Sequence, residues 1–99
     1  MNKASILDKL KYLKPILKDK FKIEKIALFG SFATEKNTDN SDIDLLIEYQ
    51  ENKTLNYFEE EDLRTLLAQE LETEKIDLVN RKFINPVIHF FAQKTMIYV

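Results

Sequence analysis

Residues 23–47 read IEKIALFGSFATEKNTDNSDIDLLI, and the fold turns on how this stretch divides. Ile23 to Phe29 alternates and then closes in the apolar run Ile26, Ala27, Leu28, Phe29, the pattern of a buried strand. Gly30 and Ser31 follow it directly. Thr34 to Ser41 is polar and turn-rich, and beyond it Ile43, Leu45 and Ile47 alternate with Asp42, Asp44 and Leu46 in a second strand. Side chains at i and i+2 of a strand point the same way, so Asp42 and Asp44 share one face.

On the N-terminal side, Ile6, Leu10, Leu13 and Leu17 recur at helical spacing behind Ser5, which is expected to cap the helix with Asp8 three residues on. Pro15 lies inside this pattern and crowds the carbonyl of Lys11, so a kink or restart is expected near Lys14. On the C-terminal side, Asn56 and Glu59 form a capping box ahead of the stripe Leu63, Leu66, Leu67 and Leu71. Ile76 to Val79 reads as a short strand carrying Asp77, and Asn85 with Pro86 opens a last helix. Thr95 to Val99 is expected to add an extended segment. The order of helices and strands predicts an α/β (α+β) layer, a small mixed sheet flanked by helices.

Composition narrows the function. The chain has 99 residues, room for one domain (1–99) with a small core, so an interface is expected. It has no cysteine, which excludes thiolate sites and fits a reducing cytoplasm. Its longest uncharged run, Phe83 to Gln93, is too short to span a bilayer. The net charge of -2 lacks the basic excess of a phosphate-backbone binder, so neither membrane nor nucleic acid is an expected partner. Phe83, Phe90, Phe91 and Tyr98 crowd the tail; they either close the core or join a partner or a second copy. His89, the single histidine, stands among Val87, Ile88, Phe90 and Phe91 and reads as a packed or interface residue.

The chemistry concentrates around the two strands. Gly30 is the only glycine, placed where a strand turns into Ser31-Phe32-Ala33. A residue without Cβ lets backbone approach a ligand, and N–H groups at a following helix start can receive an anion. Such a turn alone is commonly no more than a turn. Asp42 and Asp44 add two like charges on one face, a pair that favours a hard cation such as Mg²⁺. Asp77 is a third acid in an apolar strand, where a charge is costly unless paired or metal-bound.

Read together, Leu28-Phe29-Gly30-Ser31-Phe32-Ala33, a ten-residue gap after Ser31, Ser41-Asp42-Ile43-Asp44-Leu45-Leu46-Ile47 and the later Asp77 resemble the minimal nucleotidyltransferase (MNT) family of the polymerase-beta-like superfamily. The resemblance implies that fold over the single domain. It implies that Gly30 and Ser31 hold the triphosphate of ATP and that Asp42 and Asp44 bind two Mg²⁺ ions. Asp77 would be the third catalytic carboxylate, as metal ligand, proton acceptor or both. Many members carry Ala-Arg-Gly after the turn where this chain has Ala33-Thr34-Glu35, so a positive charge beside the phosphates is missing.

Many MNT-like proteins accompany a HEPN-domain ribonuclease, and the resemblance implies an antitoxin of a type VII-like toxin-antitoxin pair that transfers AMP to a tyrosine of the HEPN toxin. Two alternatives stay open: a non-catalytic module that inhibits its partner by contact, and a small-molecule nucleotidyltransferase of the antibiotic-modifying kind.

Overall fold

A computed structural model describes residues 1–99. Helix α1 spans Lys3–Asp19, strand β1 Ile23–Phe29, the one-turn helix α2 Ser31–Thr34 and strand β2 Ile43–Tyr49. They are followed by α3 at Tyr57–Glu70, β3 at Ile76–Asn80, α4 at Pro86–Ala92 and β4 at Ile97–Tyr98. Every expected element forms, in the expected order.

Two local expectations are corrected. Asn2, not Ser5, caps α1: its Oδ1 accepts from the Ser5 N–H at 2.9 Å, and the Ser5 hydroxyl accepts from the Asn2 N–H at 3.0 Å. Ser5 is therefore the third helical residue of the capping box, and Asp8 has no part in it. Pro15 does not make the helix restart, because Pro15 and Lys11 are both exposed while Leu13 and Leu17, on either side, are buried. Solvent takes the freed carbonyl, and the packed leucines carry the helix past the proline. The other two predicted caps form as read. Asn56 and Glu59 exchange bonds of 2.8 and 3.0 Å, and Asn85 Oδ1 accepts from the Val87 N–H at 2.8 Å.

The four strands form one mixed sheet in the order β3-β2-β1-β4. β1 pairs antiparallel with both β2 and β4, and β2 pairs parallel with β3. A bulge between Ile23 and Lys25 shifts the register, which lets both Ile23 and Ile26 enter the core. That core lies on one face. Ile26 and Leu28 of β1 and Ile43, Leu45 and Ile47 of β2 pack with Ile6, Leu10, Leu13 and Leu17 of α1 and Leu63 and Leu67 of α3.

The remaining helix belongs to the other face. The connections β2–α3–β3 and β3–α4–β4 both join parallel strands but step across the sheet in opposite directions. The right-handed rule for such crossovers assigns helices of opposite step to opposite faces, and so puts α4 across from α3. Burial agrees. Ala27 and Leu46, paired on the face away from the core, are almost fully buried yet lie outside the core cluster. The tail aromatics do not close the core, because Phe83, Phe90, Phe91 and Tyr98 are all more than half exposed.

Candidate active site

Alternation along β2 sends Ile43, Leu45 and Ile47 into the core and leaves Asp42, Asp44 and Leu46 on the opposite face. Register carries this face across the sheet. Asp44 is the partner of Phe29 on β1 and of Asp77 on β3, so the three side chains form one row. Ile76 and Leu78 pack against the core, which confirms that Asp77 between them points the other way. The structure thus brings Asp42, Asp44 and Asp77 to one face, at the end of the sheet where β1 turns into α2.

Asp44 is the electrostatic centre of the group. Partial burial, then the negative charges of Asp77 and Asp42, hold its carboxyl above the usual carboxylate range. Asp42 and Asp77 are exposed. Three oxygen-donor side chains make a hard donor set of the type Mg²⁺ prefers. They do not enclose a cation as they stand, since no three ligating side chains are close enough to grip one. The donor chemistry of these three side chains fits a divalent cation.

Gly30 completes the corner. Its φ of 74° and ψ of -155° belong to a region that is essentially glycine-only. A β-carbon there would collide with Oδ2 of Asp44 and come within 3.0 Å of its Cγ. Gly30 is therefore fixed by both backbone conformation and the aspartate beside it. Ser31 begins α2, whose Phe32 and Ala33 are anchored in the core, so the turn is rigidly held. The Thr34 hydroxyl bends back to the Ser31 carbonyl at 3.2 Å and so does not reach outward. Glu35 ends the turn in the left-handed region, φ 61° and ψ 28°, with a 3.5 Å ion pair to Lys3.

Sequence reading passed over two features of this face. Phe29 stands across from Asp44, but the continuous apolar run Ile26–Phe29 hides the alternation that would have separated it from the core. The side of the sheet assigned to α4 depends on strand order, which no local pattern carries. The largest surface cleft lies at the far end of β2 and β3, beside Tyr49, Lys53 and Arg81, and none of the three aspartates lines it. The acids stand on an open face rather than in a pocket.

Comparison with known proteins agrees with this geometry. The family model described as polymerase beta, nucleotidyltransferase matches residues 11–99. MJ1379 of Methanocaldococcus jannaschii, an inferred protein adenylyltransferase, is 39% identical over 97 residues, covering 97% of this chain and 96% of its own length. A crystal structure of a toxin-antitoxin with AMP-PNP superimposes with a TM-score of 0.66 at 26% identity, over 99% of this chain and 72% of that one. An inferred minimal nucleotidyltransferase shares the fold with a TM-score of 0.79 at 21% identity, over 98% of this chain and 95% of that one. A match over nearly the whole length, on a fold that gathers its acids beside a Gly-Ser turn, makes this chain a member of the polymerase beta nucleotidyltransferase family.

Proposed function

We propose that this single domain, residues 1–99, transfers AMP from ATP to a tyrosine hydroxyl of a partner HEPN toxin, and so acts as the antitoxin of the pair. One observation carries the reading: Asp42, Asp44 and Asp77 converge on an open sheet face beside Gly30. The likeness to inferred protein adenylyltransferases and to a toxin-antitoxin bound to AMP-PNP supports the choice of nucleotide and acceptor. The HEPN partner follows from the resemblance of the motif.

In this reading the backbone of Gly30 and Ser31 receives the outer phosphates, and Asp42, Asp44 and Asp77 hold Mg²⁺. Bound Mg²⁺ would offset charge on the attacking and leaving oxygens. The tyrosine oxygen forms a bond to the α-phosphorus, the bond to the β-phosphate oxygen breaks, and pyrophosphate departs. The phenolic proton passes to a carboxylate oxygen of Asp77, which is exposed beside Asp44. An acceptor on a protein surface suits an open face, since the protein itself supplies the positioning that an enclosing pocket gives a small molecule. The same openness disfavours a small-molecule acceptor.

The test is pyrophosphate release on mixing the chain, ATP, Mg²⁺ and the HEPN toxin. Release that requires both proteins and the cation is expected. Inhibition of the toxin with no nucleotide consumed overturns the proposal in favour of inhibition by contact.

A further inference from the structure

The turn that follows Gly30 closes on itself. Glu35 is left-handed, its N–H bonds the Phe32 carbonyl at 3.4 Å, and the Lys36 N–H bonds the Ser31 carbonyl at 2.9 Å. These two bonds make a Schellman closure, which folds the chain back until the Lys36 backbone touches that of Ser31, five positions earlier. The Lys36 side chain is exposed and enters none of the chain's ion pairs. Its neighbour Glu35 does not neutralise it, because Lys3 holds that carboxylate at 3.5 Å. Thr34 brings no charge, and its hydroxyl is spent on the Ser31 carbonyl. An unpaired ammonium is thus tied through its own backbone to Ser31.

We infer that Lys36 is the cation that grips the outer phosphates of the nucleotide. The inference rests on the reading that Gly30 and Ser31 receive those phosphates. Asp44 and its two neighbouring aspartates stand at the same corner, so an incoming triphosphate meets negative charge there, and a cation held close by offsets it. One turn of helix, about 5 Å, separates the start of α2 from its end, a distance that the four-carbon stem of lysine spans. Two other lysines stand near the corner. Lys3 is engaged with Glu35 and belongs to α1, which packs on the core face, away from the aspartates. Lys75 stands beside the start of β2, where its carbonyl accepts from the Ile43 N–H at 2.8 Å, but it lines a cleft with the core residues Phe32 and Ile43. Lys36 alone is both unpaired and folded back onto the turn.

The probes are ATP, inorganic tripolyphosphate and AMP, titrated into the full chain by calorimetry with Mg²⁺ and no acceptor, so that binding is read without turnover. Lys36→Met keeps the stem and removes the charge. It should weaken ATP and tripolyphosphate about tenfold, as for one lost charge-assisted contact, and leave AMP unchanged. The gap between native chain and variant should shrink as salt rises. Lys36→Arg should restore both affinities, a rescue that separates lost charge from a disturbed turn. Native-like binding of ATP and tripolyphosphate by Lys36→Met overturns the inference and leaves the phosphate reading of Gly30 and Ser31 standing. A native chain that does not bind tripolyphosphate overturns both. An equal loss of AMP, or a loss in Lys75→Met as large as that in Lys36→Met, overturns the inference as well, since neither requires contact between Lys36 and the outer phosphates.

Discussion

The carboxylate of Asp44 lies so close to the backbone of Gly30 that no β-carbon fits between them. Gly30 follows β1 directly and Asp44 lies in β2, fourteen positions on, and each constrains the other. Glycine at 30 makes room for the aspartate, and the positive φ it adopts turns the chain out of β1 into α2.

Gly30→Ala should therefore cost about 2–4 kcal/mol, the sum of backbone strain and overpacking. Chemical denaturation of Gly30→Ala alone and in an Asp44→Ala background separates the two. The double variant should recover the part due to collision and keep the part due to φ. Equal costs in both backgrounds would mean that the contact with Asp44 does not matter.

Asp44 should also tie stability to pH. Its carboxyl ionises less readily in the folded chain than in the unfolded one, because of burial and then Asp77 and Asp42. The folded state thus keeps the proton longer. The carboxyl favours folding below the unfolded value of about 3.9, and that contribution is lost as pH rises through the higher folded value. Asp44→Asn should then melt a few degrees higher at pH 7, for about 0.5 kcal/mol at this partly open site, with the gap closing towards pH 4. Thermal melts across this range, without Mg²⁺, check both sign and window.

The turn after Gly30 offers a gain in both stability and affinity. Glu35 holds a left-handed conformation that suits glycine, and its ion pair with Lys3 is exposed and contributes little. Glu35→Gly should stabilise the chain by about 0.5 kcal/mol, read as a higher denaturation midpoint. Adding Thr34→Arg would place a cation beside the turn in a position whose present hydroxyl bonds only its own backbone. ATP binding should tighten about tenfold by calorimetry, as expected for one charge-assisted contact.

What the sequence makes legible is local. The cap pairs Asn56–Glu59 and Asn85–Val87 act within three residues, and the alternation of β2 is written in consecutive side chains, so both appear in the structure as read. The start of α1 differs from the expected Ser5 cap because Asn2 and Ser5 are both capping residues and act as a reciprocal pair. That α1 runs on through Pro15 without a restart depends on the exposure of Pro15, a tertiary property. The side of the sheet taken by α4, the row Phe29–Asp44–Asp77 and the Gly30–Asp44 contact all depend on strand order and register. The motif named the three aspartates, and pairing across the sheet puts them together.

Adenylyl transfer to the toxin is tested most directly by intact-protein and peptide mass spectrometry of the HEPN toxin after incubation with this chain, ATP and Mg²⁺. A mass gain of one or more adenylates located on tyrosine, present with the native chain and absent with Asp44→Asn, is the predicted result. A toxin silenced equally by the native chain and by Asp44→Asn, with no adenylate on either protein, would contradict it.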